Sequence, residues 1–417
     1  MTFSDYILLI AIICIWGLLL VNIVLIIAGY IYYLKVETEA PPEVKGHYPF
    51  VSIMVPAHNE GKVIVKTVEA LLRFDYPPEQ YEIIVINDNS SDNSADLLAT
   101  IQKKKHPERQ LHVINTDAVT GGKGKSNALN LGFKQAKGEL IAIYDADNTP
   151  EKTALRYLVA EMTQDENLGA VVGKFRTRNR DANLLTRFIN IETLSFQWMA
   201  QAGRWQLFKL VTIPGTNFIL KRSVIEAIGG WDEKALAEDT EISFRIYMMG
   251  YRIKFQPKAV TWEQEPQTLA VWFKQRTRWV KGNIYVILKN LQLLFKKEAQ
   301  VIRFDLLYFF SIYFLLLSSL ILSDLLLVMN LLGYVSTTLA GFSPLLWLLA
   351  VLLFILGTYI SVTTEKGEMT LGNIGIIMLM YITYSQMWIA VAAYGLFMYI
   401  QESVLKKEVK WYKTERF

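Results

Sequence analysis

Two carboxylates one residue apart, Asp145 and Asp147, close the apolar run Leu140-Ile141-Ala142-Ile143-Tyr144. At the end of a buried strand such a pair can share a divalent ion with the diphosphate of a bound nucleotide, and hard oxygen donors suit Mg2+ or Mn2+. Asp239, in Glu238-Asp239-Thr240, is a second candidate. A carboxylate within about 2.6–3.2 Å of a hydroxyl can take its proton as that oxygen attacks a carbon centre. Just upstream, Gly229-Gly230-Trp231 marks a loop whose indole is a candidate for facing a sugar. The third constellation is Gln275-Arg276-Thr277-Arg278-Trp279. Helical spacing puts Gln275, Arg278 and Trp279 on one face. Arginine grips phosphate as a rigid fork, and indole offers an apolar platform for a sugar ring. Each feature also has a plainer reading. The two aspartates fit a turn, Asp239 fits a helix N-cap, and the pentapeptide fits an interfacial helix with Trp272, Phe273 and Trp279 dipping into lipid.

Two further loops have nucleotide-binding character. Pro56-Ala57-His58-Asn59-Glu60 and Asn87-Asp88-Asn89-Ser90-Ser91-Asp92 each follow a strand candidate. Asp and Asn there commonly turn the chain and cap the next helix. The functional alternative has Asp88 accept a hydrogen bond from a nucleobase N–H, with Glu60 near the ribose. Gly121-Gly122-Lys123-Gly124-Lys125-Ser126 looks like a phosphate loop, but position 119 is Val119 and the segment does not follow the first strand. The nucleoside-triphosphatase reading is therefore rejected. A weaker claim survives, because lysines and free N–H groups at a helix start attract phosphate, and Lys125 is the better candidate.

The elements that must hold these residues alternate. Strand candidates are Phe50–Pro56, Tyr81–Ile86, Leu111–Asn115 and Glu139–Tyr144, with helical patterns over 61–74, 92–105 and 123–137. Strands apolar on both faces, alternating with helices, predict a parallel sheet covered on two sides. Ligands bind beyond the carboxyl ends of such strands, where each motif falls. Less regular strand-like runs follow at 168–176, 216–221 and 252–262, around helical stretches at 182–204 and 240–249.

Hydrophobic residues make up 52% of the 417, and they are unevenly spread. Residues 6–34 carry no charge, a run that more than spans a ~30 Å hydrocarbon core. A cleaved signal peptide does not fit, because the run is too long and Asp5 replaces a basic n-region. Further apolar blocks lie at 304–333, 344–363 and 371–400, so an integral membrane protein is expected. The predicted organisation is a membrane helix over 1–35, a linker over 36–49 and an α/β domain over 50–282. An interfacial amphipathic helix over 283–303, a membrane region over 304–403 and a basic tail over 404–417 complete it.

Arg276, Arg278, Lys281, Lys289, Lys296, Lys297 and Arg303 precede the second apolar block, a bias that places the central domain in the cytoplasm. Three C-terminal crossings would then put Lys406, Lys407, Lys410 and Arg416 outside, against the same tendency. Either 371–384 lies along the interface or 371–400 turns back as a hairpin. A net charge of only +4 excludes general nucleic-acid binding, and the single cysteine, Cys14, excludes a disulfide framework or a cysteine-based metal site within one chain.

Together these residues resemble the processive, inverting family-2 nucleotide-sugar glycosyltransferases, the group of cellulose, hyaluronan and poly-N-acetylglucosamine synthases. The match runs in order through His58-Asn59-Glu60, Asn87-Asp88-Asn89-Ser90, Asp145-Ala146-Asp147, Glu238-Asp239 and Gln275-x-x-Arg278-Trp279. Size and the run from Gly229 to Asp239 are most similar to bacterial poly-N-acetylglucosamine and related biofilm exopolysaccharide synthases. The resemblance implies a GT-A-like, Rossmann-like domain with a mostly parallel sheet, flanked by transmembrane helices. It implies an enzyme of the cell membrane, multi-pass, using UDP-N-acetylglucosamine or another UDP-sugar to extend and export a β-linked polysaccharide.

By the same resemblance Asp88 holds uracil, Lys125 assists there or at the phosphates, and Glu60 lies on the donor side. Asp147 with Asp145 engages the metal and UDP, Asp239 is the general base, Gln275 and Arg278 hold the diphosphate, and Trp279 meets the acceptor's terminal sugar. Departures are Asn87 where the family often has Asp and Ala237 where it often has Thr. The N-terminal run supplies one helix where many relatives have two. Implied partners are the UDP-sugar, the growing polysaccharide and the lipid bilayer, with room for a membrane or regulatory partner subunit. Two other functions stay open: a non-processive transferase adding one or two sugars to a lipid acceptor, and a silent scaffold that binds nucleotide-sugars.

Overall fold

The computed structural model of the protein describes residues 2–103, 110–336, 343–405 and 414–415. A long helix, α1 (Phe3–Thr38), precedes β1 (Val51–Ala57), α2 (Ile64–Leu71), β2 (Tyr81–Asn87), α3 (Ser94–Lys103), β3 (Gln110–Asn115), α4 (Lys125–Gln135) and β4 (Leu140–Ile143). Next come β5 (Thr149–Pro150), α5 (Ala154–Gln164), β6 (Leu168–Thr177), α6 (Leu184–Phe196) and α7 (Arg204–Phe208). Then follow β7 (Phe218–Lys221), α8 (Arg222–Ile228), α9 (Glu238–Met248), β8 (Arg252–Glu263) and α10 (Leu269–Asn290). The last helices are α11 (Arg303–Phe310), α12 (Leu317–Leu331), α13 (Ser343–Thr363), α14 (Leu371–Ile382) and α15 (Tyr384–Leu405). The predicted strands and helices of the first half are present within a few residues. Helices α5 and α8, which apolar spacing did not single out, are additional.

The described residues of Lys35–Thr193, Phe208–Gln275 and Val409–Phe417 form one unit, and those of Met1–Leu34, Leu194–Leu207 and Arg276–Glu408 form the other. The first unit is an α/β body on one sheet, in the order β3-β2-β1-β4-β7-β6-β8-β5. Strands β1 to β4 are mutually parallel. β7 is antiparallel to both β4 and β6, and the short β5 is antiparallel to β8. The sheet is thus mixed but mostly parallel. β2 is buried at every position, as expected of a strand covered on both faces.

One consequence of β7 running backwards is that its amino end lies where β4 ends, with Phe218 paired to Ile143. The loop before β7 therefore reaches the same sheet edge as the loops that follow β1 to β4. A parallel strand there would have sent that loop to the opposite edge.

The second unit is apolar. Phe3–Thr38, Ala299–Asn330 and Tyr384–Leu405 are long and apolar enough to cross a membrane, and Leu348–Thr363 and Leu371–Ile382 are shorter apolar helices. The apolar block 371–400 is not one rod, because α14 ends at Ile382 and Thr383, with φ −114 and ψ −75, separates it from α15. Over 283–303, expected as a single amphipathic helix, α10 instead continues to Asn290 and two 3-10 segments, Leu291–Phe295 and Lys297–Ile302, follow. The predicted basic positions Lys406, Lys407, Lys410 and Arg416 lie outside the described residues.

Small residues allow α1 to meet the π-wound segment Gln197–Gly203. A Cβ on Gly29 would fall 1.8 Å from the Trp198 carbonyl oxygen, and one on Gly203 would fall 2.2 Å from that of Leu25. Trp198 packs edge-on against Tyr33 at 5.3 Å. Next to this crossing the buried Arg204 guanidinium pairs with Asp305 at 2.8 Å, and Tyr308 donates to Asn22 Oδ1 at 3.0 Å. Gly203→Leu is expected to destabilise this unit by at least about 1–3 kcal/mol, the cost of overpacking a close contact. Thermal unfolding of the detergent-solubilised protein measures it.

Candidate active site

Four mutually parallel strands deliver four loops to one edge of the sheet: Asn59 and Glu60 after β1, Asp88 after β2, Gly121 and Gly122 after β3, Asp145 after β4. Antiparallel β7 adds Gly215, Thr216 and Asn217, and β8 adds Gln264. Sequence spacing located the first four loops; the topology supplies the last two.

At this edge Lys125, the first residue of α4, is the hub. Its Nζ lies 2.7 Å from Asp145 Oδ1 and 3.3 Å from Glu238 Oε1, and donates to the Gly215 carbonyl at 2.7 Å. Burial opposes the ammonium charge, but the carboxylates of Asp145, Glu238 and Asp239 outweigh it and push the Lys125 pKa above its ordinary value. The stability that Lys125's raised pKa contributes is thus fully present below the ordinary lysine pKa of about 10.4. It is lost only as pH rises through the higher folded value.

Gly215 has φ +92, a conformation that side chains rarely adopt, and a Cβ there would sit 3.0 Å from Asp239 Oδ2 and 3.6 Å from Lys125 Nζ. Glycine alone fits both the turn and the close approach. Lys125, Asp145, Glu238, Gly215 and Asp239 are therefore neighbours.

Glu238 and Asp239 open α9, where the helix dipole favours negative charge. The N-cap reading of Asp239 holds only in small part: its Oδ1 accepts from the adjacent Thr240 N–H at 2.7 Å, and its carbonyl accepts from Ser243 Oγ at 2.7 Å. Oδ2 is the oxygen turned toward position 215. The Asp145 N–H donates to Thr216 Oγ1 at 3.0 Å, and the Thr216 hydroxyl bonds in turn to Asn148.

Asp147 is buried and its Oδ2 accepts from the Gln264 N–H at 3.2 Å. Among the described residues no group of three or more His, Cys, Asp or Glu is placed to hold a metal ion. The donors Asp145 and Asp147 are hard oxygens, which suit a divalent ion whose remaining ligands are phosphate oxygens and water. That donor set fits the expected group as a pair, not as a closed cage.

Asp88 is buried, and its Oδ1 accepts from Thr116 Oγ1 at 3.0 Å and from the Gly122 N–H at 2.9 Å. It therefore ties the β3–α4 loop to β2. The two Asn-containing loops are stitched together: Asn59 Oδ1 accepts from the Ser91 N–H at 2.6 Å and the Asp92 N–H at 3.2 Å, and the Asn59 N–H donates to Ser90 Oγ at 2.9 Å. Glu60 is buried beside this junction. Asp92 caps α3 through Ser94, at 3.0 Å to its N–H, so the plain turn-and-cap reading is right for Asp92.

Gln275 is the last α10 residue of the α/β unit, and Arg278 and Trp279 follow on the same helix in the apolar unit. Gln275 is buried and Trp279 is 40% exposed. Two aromatic expectations are corrected. Trp231 does not face a sugar: it is 3% exposed, packs edge-on against Phe133 at 6.1 Å and exchanges hydrogen bonds with Asn130. Trp272 does not dip into lipid, being fully buried.

The residues that sequence reasoning missed are Gly215 and Glu238. Their signals were faint. Glu238 stands out in the sequence only as Asp239's neighbour, and Gly215 lies just before the strand-like run at 216–221 with no motif of its own.

Residues 49–282 match the family model described as "Glycosyltransferase like family 2". Over 405 residues, 97% of this chain and 96% of the relative, the sequence is 48% identical to the Bacillus subtilis protein named "Probable glycosyltransferase YdaM". It is 31% identical to the poly-beta-1,6-N-acetyl-D-glucosamine synthase of Staphylococcus epidermidis and 33% identical to that of Staphylococcus aureus. Each match covers 240 residues, 58% of this chain and 56% of the relative, so the chain spans little more than half the length of these synthases. Among solved structures, the mannosyltransferase PcManGT from Pyrobaculum calidifontis, in complex with GDP-Man and Mn2+, superposes with a TM-score of 0.65. Its identity is 20%, over 97% of this chain and 100% of its own. At that identity the likeness concerns fold, which is GT-A-like.

Lys125→Met leaves the carboxylates of Asp145 and Glu238 facing each other without their cation. It is expected to cost about 1–3 kcal/mol of stability. Adding Glu238→Gln is expected to return part of that loss, because the two changes touch one network. Chemical unfolding of the single and double variants gives the coupling.

Proposed function

The chain belongs to glycosyltransferase family 2, and on that premise we propose that it is a membrane-bound, inverting enzyme that polymerises a β-linked polysaccharide from a UDP-sugar. The favoured donor is UDP-N-acetylglucosamine, the sugar named in the two staphylococcal relatives. The observation that carries the reading is the cluster in which Lys125 joins Asp145 to Glu238, with Asp239 at its side. It puts a cation, a candidate metal ligand and a candidate base at the one sheet edge where this fold binds nucleotides.

In the proposed reaction Asp239 takes the proton of an acceptor hydroxyl. That oxygen bonds to C1 of the donor sugar as the bond from C1 to the diphosphate oxygen breaks, and UDP leaves with the electron pair. A single displacement turns an α-linked donor into a β-linkage. Lys125, held charged by its carboxylate neighbours, offers its ammonium to the negative charge that gathers on the departing diphosphate. Asp147 and Asp145 would hold Mg2+ or Mn2+, which when bound supplies further charge stabilisation at the phosphates.

Asp88 and Glu60 bind the nucleoside, Gln275 and Arg278 the diphosphate, and Trp279 the acceptor's terminal sugar. The three long apolar helices support a multi-pass membrane protein, and the basic residues before the second apolar block favour a cytoplasmic catalytic domain.

Asp239→Asn is expected to lower UDP release from UDP-N-acetylglucosamine by about 10²–10⁴-fold, the usual contribution of a general base, while the protein stays folded. Near-normal turnover would sink the assignment. In the same assay a long product ladder on a gel is expected; one or two added sugars would favour the non-processive alternative. Chelation by EDTA is expected to abolish UDP release, and Mn2+ or Mg2+ to restore it. Unchanged release in EDTA would remove the metal from the scheme.

A further inference from the structure

On α15 the residues Trp388, Gly395 and Glu402 recur every seven positions, about two helical turns, so they share one face. All three meet α10. The Arg276 guanidinium carbon lies 4.0 Å from the centroid of the Trp279 ring and 6.0 Å from that of Trp388. A Cβ on Gly395 would lie 2.7 Å from Val280 Cγ1 and 3.5 Å from the Thr277 carbonyl oxygen, so the helices approach closely there. Lys281 Nζ is 2.6 Å from each carboxylate oxygen of Glu402, with side-chain exposures of 12% and 18%. Arg276 itself is 1% exposed. A buried guanidinium over an indole within ~6 Å is attracted by the ring face, and a planar fork cannot rotate between two rings as an ammonium could.

We infer that Arg276 is a positioning residue that sets the plane of the Trp279 indole, and that α15 sets Arg276 in turn through Trp388, Gly395 and Glu402. Arg276 backs the ring, and Trp279 keeps 40% of its surface open for a sugar to stack on. The basic residues of this stretch then have separate tasks. Arg276 is turned inward against aromatic rings and Lys281 is bound to Glu402, so both are engaged within the apolar unit. The inference rests on the reading of Trp279 as the acceptor platform.

The test uses the full chain, purified in lipid nanodiscs, with UDP release followed against UDP-N-acetylglucosamine and, separately, against a short β-1,6-linked N-acetylglucosamine oligosaccharide. Arg276→Lys, which keeps the charge and loses the planar stack, is expected to raise the oligosaccharide KM by roughly tenfold or more, the scale of a misplaced contact. The donor KM is expected to stay unchanged. Glu402→Gln is expected to shift the same constant in the same direction, and it carries the test if Arg276→Lys does not fold. The exchanged pair Lys281→Glu with Glu402→Lys is expected to restore it. A rise in donor KM, or a fall in kcat with oligosaccharide KM unchanged, overturns the inference. Trp279→Ala separates the two failures. If it leaves the oligosaccharide KM unchanged, the platform reading itself is wrong; if it raises that constant while Arg276→Lys does not, only the positioning role is wrong.

Discussion

The α/β unit depends most on one ammonium group. Lys125 contacts Asp145 and Glu238 and donates to the Gly215 carbonyl, so a residue at the start of α4 joins the end of β4, the loop before β7 and the start of α9. Without a cation, three carboxylates would crowd a partly buried edge, which is costly. With it, one of those charges is neutralised and two of the carboxylates share a direct ion-pair partner. The same ion pairs that stabilise the edge hold Lys125 charged. Fold stability and site chemistry are here a single electrostatic arrangement.

That arrangement needs the sheet to break its own rule. Strands β1 to β4 run parallel, which puts their following loops together. A fifth parallel strand beside β4 would have carried Gly215 and Thr216 away from Asp145. Because β7 is antiparallel, Phe218 pairs with Ile143, and the Thr216 hydroxyl can receive the Asp145 N–H. The reversal exchanges parallel for antiparallel pairing on both sides of β7 and brings an extra loop to the site.

The first half of the fold was legible because its signals are local: apolar runs of strand length, polar residues after each, and helical spacing between. Asp145, Asp147 and Asp239 stood out because acidic residues at strand ends and helix starts are chemically conspicuous. What could not be read were partners far apart in sequence. Lys125 and Gly215 are 90 residues apart, and no spacing rule links an ammonium to a carbonyl at that distance. Trp231 was misread for a related reason. An aromatic residue after two glycines looks exposed, but Asn130, 101 residues away, grips its backbone and Phe133 covers its ring. The orientation of β7 was likewise hidden, since strands of either direction show the same apolar runs.

The segment 275–279 shows a subtler limit of pattern reading. Face arithmetic groups Gln275, Arg278 and Trp279 and leaves Arg276 as a neighbour of no account. Yet positions 276 and 279 are also three apart, and a long side chain can swing over a ring one turn away. Burial decides between these groupings: Arg276 is 1% exposed while Trp279 is 40% exposed. An arginine that was merely one of several basic residues at a membrane edge would stay in water, because burying a charge is expensive. Its withdrawal against two indoles makes it part of the support beneath Trp279. The positive bias of this stretch is then a poorer guide to membrane orientation than its residue count implies, because Arg276 and Lys281 are committed to partners inside the protein.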